Sequence, residues 1–195
     1  MRTPFHTLDL LAADILPPHW QDDVRLLAES PARQVLYDGG PDVPGEPAGL
    51  FACVDGAAIR SALPWMWALY HNELRSFAAE SVGYPLFAAN RLRAAITLNI
   101  LSREGAANVW HTDMNAVTGV FYAVVPETGG DLMFRDGAGG EAVLRPRAGL
   151  FVCFEGAVEH QVTPLAADGR RLAIPMVYHR SAVDQPLAFG DDAYS

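Results

Sequence analysis

Apolar residues recur with one period in the first half of this chain and with another in the second, the change falling near residue 90. Ahead of it the spacing is helical. Pro17–Ala28 opens with prolines and carries Trp20, Val24 and Leu27 at helical intervals. Pro64–Val82 begins with a proline at a first-turn position and stops at Gly83, which predicts a second helix. Trp65, Trp67 and Tyr70 lie at helical spacing within it and are expected in the core. Between the two, residues 38–49 (DGGPDVPGEPAG) hold so many glycines and prolines that they must form a loop, and a loop of that length suits a lid over a site.

Beyond residue 90 the apolar runs shorten and turn residues separate them. Leu92–Leu101, Val109–His111, Val117–Val125, Asp131–Arg135, Ala142–Leu144, Gly149–Phe154, Val158–Val162 and Arg171–Tyr178 read as strands. The turns between them are marked by Glu127–Gly130, Asp136–Gly140, Pro146 and Ala167–Gly169. About eight short strands so spaced predict a mainly β chain, an antiparallel sandwich or jelly roll with the N-terminal helices packed on one sheet. Pro175 cannot donate to a ladder, so the last strand is expected at an edge or with a bulge.

With 195 residues, half of them hydrophobic, the chain suffices for one domain, in which residues 1–90 shape a substrate pocket and residues 91–180 form the core. Fourteen basic residues against 23 acidic ones give a net charge of −9, which repels phosphate backbones and makes nucleic acid an unexpected partner. Cys53 and Cys153 each sit in an apolar stretch and read as buried hydrophobes rather than a disulfide. The N-terminus carries Asp9 and Asp14 and does not resemble a secretory signal, and no run is long enough for a membrane span. A cytoplasmic protein with no membrane partner is expected; the composition leaves a homodimer open.

Two of the six histidines have a chemical context. His111 and Asp113 stand two apart, and on an extended chain alternate side chains share a face, so both can reach one ion. His160 lies in a later β run, far enough along for hairpins to bring it alongside. Two imidazoles and a carboxylate on one face of an octahedral ion form a facial triad and leave three positions open. A His-x-Asp triplet arises often by chance, so the downstream context decides. After His160 come a turn ending at Gly169 and then Arg170 and Arg171 opening the final β run. A guanidinium there can hold the distal carboxylate of a dicarboxylate by two parallel hydrogen bonds. The two arginines face opposite sides of a strand. Arg171 is favoured because its neighbour Ala173 leaves room, whereas Leu172, Ile174 and Met176 on the Arg170 side look like sheet packing.

The order His111-x-Asp113, Gly129-Gly130-Asp131-Leu132-x-Phe134, Pro146-x-x-Gly149, His160-x-Val162-x-Pro164 and Gly169-x-Arg171-x-Ala173-Ile174 resembles the core of the Fe(II)/2-oxoglutarate dioxygenases, in their prolyl 4-hydroxylase-like branch. The resemblance implies a double-stranded β-helix, Fe(II) held by His111, Asp113 and His160, and Arg171 paired with the co-substrate 2-oxoglutarate. It also implies O2 as oxidant and hydroxylation as the outcome, since a halogenating relative would need a small residue in place of Asp113. The branch often has a tyrosine upstream of His-x-Asp, where this chain has Leu101 and Arg103; Asn99 is the substitute donor to the co-substrate. Trp110, Asn115 and Tyr122 are candidates for contact with substrate.

The expected activity is hydroxylation of an unactivated C–H bond in a small molecule, an amino acid or natural product. Hydroxylation of a prolyl or other residue in a protein is the alternative within the same chemistry. Nucleic-acid demethylation is disfavoured by the charge and by the spacing of the arginines. From another class, a cupin-like metal-binding module would accept the same three ligands, zinc included, but has no reason to place Arg171.

Overall fold

The computed structural model describes residues 3–39, 49–135, 140–167 and 169–185. In chain order the elements are β1 (Phe5–Asp9), α1 (Trp20–Ala28), β2 (Gln34–Gly39), β3 (Gly49–Val54), α2 (Gly56–Ala62), α3 (Pro64–His71), α4 (Glu73–Val82), β4 (Phe87–Ala88), α5 (Leu92–Ala95), β5 (Leu98–Ser102), β6 (Asn108–His111), β7 (Val117–Val124), β8 (Leu132–Arg135), β9 (Glu141–Leu144), β10 (Leu150–Glu155), β11 (Glu159–Val162) and β12 (Arg170–His179). The strands form two antiparallel sheets. The larger runs β1-β10-β7-β12-β5-β3-β2, with β4 also on β12; the smaller runs β6-β11-β8-β9.

Alternation within the larger sheet builds two cores. Phe121 and Ala123 of β7, Phe151 and Cys153 of β10, and Leu172, Ile174 and Met176 of β12 pack against the helices. Val120, Tyr122, Val152, Phe154 and Ala173 point the other way, into the space between the sheets. A strand covered on both faces has no polar positions to spare, which is why these runs read as continuously apolar. Each fully buried Leu, Ile or Phe among them stabilises the fold by about 1.5–3 kcal/mol. Both cysteines are free and buried, and burial pushes their thiols up to about 11 for Cys53 and about 12 for Cys153.

Several expectations need correction. The helix expected over Pro64–Val82 is two helices, broken at Asn72, whose side-chain amide takes the Ala68 carbonyl at 2.9 Å and ends the first. The run from Leu92 begins with the helical turn α5 and becomes a strand only at Leu98. β1, β2 and β3 lie in the half that looked helical; short apolar runs such as LFACV carry no periodicity that separates strand from helix. Pro175 is not on an edge, because β12 lies in the middle of the larger sheet. Its carbonyl accepts from Thr97 just where β5 has ceased to pair, so the missing N–H falls in a gap of the ladder; of the two alternatives the strand takes the bulge, at Leu172/Ala173. Residues 40–48 of the expected lid lie outside the described residues. Among the described residues no helix is long and apolar enough to cross a membrane. Trp65 and Trp67 pack against the helical core and Tyr70 is fully buried in it.

Candidate metal centre and co-substrate pocket

His111 ends β6 and His160 sits directly opposite it on β11, which brings the imidazole centroids to 4.2 Å. Each ring is oriented in the same way. Nδ1 of His111 lies 2.7 Å from the Val109 carbonyl, and Nδ1 of His160 lies 2.9 Å from the Val158 carbonyl. A carbonyl can only accept, so each Nδ1 carries a proton, and in the neutral ring the lone pair is then on Nε2. Burial pushes the pKa of His160 down, with the neighbouring His111 adding to the effect, so the ring is held neutral as a ligand must be. Phe154 packs edge-on against it at 4.6 Å between centroids.

Both Nε2 atoms face Asp113: His111 is 3.8 Å from Oδ1 and His160 is 3.7 Å from Oδ2. The three ligand atoms lie within 4.8 Å of one another. The loop carrying Asp113 is fixed by its N–H, which donates to the Gly156 carbonyl at 2.8 Å. Gly156 is required there, since a Cβ would meet the Asn115 carbonyl oxygen at 2.2 Å. The carboxylate itself is held by a relay: Asn115 donates to the Thr118 hydroxyl at 2.8 Å, and that hydroxyl donates to Asp113 Oδ2. The amide donor consumes an acceptor site on Thr118, so its only proton goes to the carboxylate, leaving Oδ1 for an ion. Two neutral nitrogens and one anionic oxygen, each orientation set by a second hydrogen bond, fit a divalent transition metal with open positions.

The triad lines a cavity of about 580 Å³ that also takes in Asn99, Asn115 and Arg171. Arg171 is only 3% exposed, and its guanidinium carbon is 5.1 Å from the centroid of the Tyr122 ring. Its Nε and the Tyr122 hydroxyl have no hydrogen-bond partner. A buried cation with an unpartnered N–H is costly unless an anion completes it. Burial raises the Tyr122 phenol, with the guanidinium acting in the opposite direction. Arg170, one residue earlier, points out and pairs with Glu29. Asn99 faces the cavity from β5, opposite Ala173, and accepts from the Thr97 hydroxyl at 3.1 Å.

The other sequence candidates fall in different places. Asn115 lines the cavity, although its amide is engaged with Thr118. Tyr122 is fully buried behind Arg171 rather than at the cavity wall. Trp110 lies outside the cavity lining, because alternation on β6 turns it away from His111; Arg135 stacks 4.5 Å above its ring and pairs with Glu159. Thr118 was not among the candidates, since nothing in a Val-Thr-Gly run marks its hydroxyl as a partner of Asp113.

No family model matches the sequence, and no curated protein matches it. Solved structures do. An oxidoreductase of the 2OG-Fe(II) oxygenase family from Burkholderia pseudomallei superposes with a TM-score of 0.70 at 14% identity, over 92% of this chain and 87% of that one. This chain has the double-stranded β-helix fold of the 2OG-Fe(II) oxygenases. The epimerase SnoN from nogalamycin biosynthesis, in a complex with Fe3+, alpha-ketoglutarate and nogalamycin RO, matches at 15% identity with a TM-score of 0.65, over 91% of this chain and 79% of that one. A prolyl hydroxylase from Trichoplax adhaerens in complex with a peptide fragment matches at 16% identity with a TM-score of 0.65, over 94% and 89% of the two chains.

Proposed function

We propose that this protein is an Fe(II)- and 2-oxoglutarate-dependent oxygenase that hydroxylates an unactivated C–H bond of a small molecule. The observation that carries the reading is the buried Arg171, whose Nε has no partner, in the same cavity as His111, Asp113 and His160. A metal-binding module needs the triad alone; a keto diacid needs both.

In this reading His111, Asp113 and His160 hold the iron. When bound, iron and 2-oxoglutarate together supply oxidation by O2, in which the keto acid loses CO2 to become succinate and the second oxygen atom goes to substrate. The chain's own part is positional. Arg171 seats the distal carboxylate by charge-assisted hydrogen bonds and Asn99 offers its amide from the neighbouring strand. The relay from Asn115 through Thr118 occupies Asp113 Oδ2 and would leave Oδ1 to hold the iron. Phe154, Val120 and Leu132 line the cavity with apolar surface that restricts water at the metal. A cavity near 580 Å³ falls in the range of about 300–1,000 Å³ usual for small-molecule sites, which supports a small substrate over a protein one.

The test is anaerobic addition of 2-oxoglutarate to the iron-loaded protein, followed by admission of O2. A charge-transfer absorption band on chelation and oxygen-dependent formation of succinate are expected. A protein that binds iron but gives neither band nor succinate would be a metal-binding module instead.

A further inference from the structure

We propose that the mouth of the cavity binds an apolar substrate through a hydroxyl group, and that His179 is the specificity-determining residue that recognises it. The inference rests on the oxygenase reading above and names the substrate class for the same site.

Alternate residues of β12 line the cavity, from Arg171 through Ala173, Pro175 and Val177 to His179. Arg171 is buried at one end of this row. At the other end, three segments that also line the cavity are tied to the strand. The Tyr70 hydroxyl donates to the Val177 carbonyl at 2.9 Å and accepts from the Ala89 N–H at 2.8 Å. Gln185 donates to the carbonyl of Ala88, which pairs with Tyr178. Ala116, two residues after Met114, donates to the Tyr178 carbonyl at 3.0 Å. Met114 is 61% exposed, so the His179 end is the mouth. A keto diacid seated on Arg171 takes the closed end, and a substrate arriving from solvent meets the walls of the mouth.

Much of the surface there is apolar, supplied by Ala89, Ala94, Met114 and Val177. Three polar neighbours are already engaged. Gln185 accepts from the Asn90 N–H at 2.8 Å and donates to the carbonyls of Ala88 and Ser181, both at 3.1 Å. Asn115 donates to Thr118, and Arg91 has a partner of its own. The His179 imidazole differs: among the described residues no hydrogen bond or neighbouring charge acts on it, and burial alone holds its pKa down. The ring is half-buried, so a ligand that covers it strips its remaining water and must supply a partner in exchange.

The chemistry of that ring selects the partner. A neutral imidazole offers one N–H donor and one lone pair, and a hydroxyl, which also has both, meets it in either orientation. A carboxylate has no proton for the lone pair, and an ammonium has no lone pair for the N–H. Neither would find a countercharge in an uncharged ring. His179 also stands on a backbone already held in place, since it pairs with Phe87 while Tyr178 pairs with Ala88. A binding group on a preorganised segment loses less entropy when a ligand arrives.

The test uses Zn(II)-loaded protein, in which zinc takes the same three ligands without turnover, saturated with 2-oxoglutarate and titrated calorimetrically with matched pairs. Each pair sets an alcohol against the fluoride of the same skeleton, which keeps the size but has no proton to donate. The alcohols are 3-phenylpropan-1-ol, hexan-1-ol and 2-(naphthalen-2-yl)ethanol. At least one is expected to bind about 5-fold or more tightly than its fluoride, as a hydrogen bond formed out of water implies. His179→Phe keeps a ring without its nitrogens and should erase that preference with the fluoride's affinity unchanged. His179→Gln keeps a donor and an acceptor and should retain part of it, and 2-oxoglutarate binding should stay unchanged in both variants. In the unsubstituted protein the alcohol should move the imidazole nitrogen resonances of His179 more than its fluoride does. Alcohol and fluoride binding alike in every pair, absence of binding included, would overturn the proposal. So would a preference that survives in His179→Phe, or imidazole resonances that respond equally to both ligands. Failure of 2-oxoglutarate itself to bind the metal-loaded protein would instead overturn the oxygenase reading.

Discussion

The central strands of the eight-stranded sheet are buried on both faces, by helices on one side and by the second sheet on the other, whereas the four-stranded sheet meets the core with one face and solvent with the other. β12 has no exposed position; β9 alternates between exposed and half-buried positions. The functional groups divide accordingly. The larger sheet carries Arg171, Asn99 and Thr118, groups that must be desolvated or held in one rotamer to act. The smaller sheet carries the two imidazoles, which need only a register and a carbonyl each to orient them. The candidate metal centre is thus a seam between a rigid platform and a lighter cover, and Asp113, in the loop that crosses from one to the other, closes it.

Substitutions can break or sharpen this contrast. Asp113→Ala removes the anionic ligand at the seam and should weaken metal binding by more than about 100-fold, read by competition with a chelating dye, with succinate formation lost. On the platform, Arg171→Met should raise the 2-oxoglutarate concentration needed for half-saturation on the order of 100-fold. The same change should leave the ligand-free fold as stable or raise its stability by ~1–3 kcal/mol in urea denaturation, because a buried cation whose Nε lacks a partner is replaced by an apolar chain of similar length. A large loss of stability would show that Arg171 serves the platform and not a ligand. Thr118→Val keeps the shape but frees Asp113 Oδ2, and metal affinity should fall by about 10–100-fold with little change in melting temperature. On the exposed side, Arg170→Gln and Glu159→Gln each remove a surface ion pair and should shift stability by no more than about 1 kcal/mol, with activity intact. If either abolished metal binding, the solvent face of the molecule would have a part in the site that its geometry does not suggest.

How far the sequence could be read follows the range of the interactions. The strands after residue 90 were legible because each is bounded by turn residues within a few positions. β1 and β3 were not, because their partners β10 and β5 lie far along the chain and their apolar residues carry no distinctive period. The break at Asn72 lay in a run that periodicity alone reads as continuous, since the side chain that ends α3 also fits a helix surface.

At the site the same division holds. His111 and Asp113 are neighbours on one stretch of chain, so their shared face is a property of local geometry, and His160 and Arg171 are marked by the turns around them. Alternation along one strand also separates Arg170 from Arg171. What alternation does not set is what waits on each side: a solvated carboxylate, Glu29, for one arginine, and a closed cavity against Tyr122 for the other. The removal of Tyr122 from the wall likewise depends on strands brought together across the sheet, whereas the hydroxyl that steadies Asp113 comes from only five residues along the chain. The sequence by itself determined which side chains could bind a metal and a diacid, because that is chemistry of residue type and short spacing. Tertiary structure alone decided which of them are buried, oriented and within reach, because burial and register are set by strands that lie far apart along the chain.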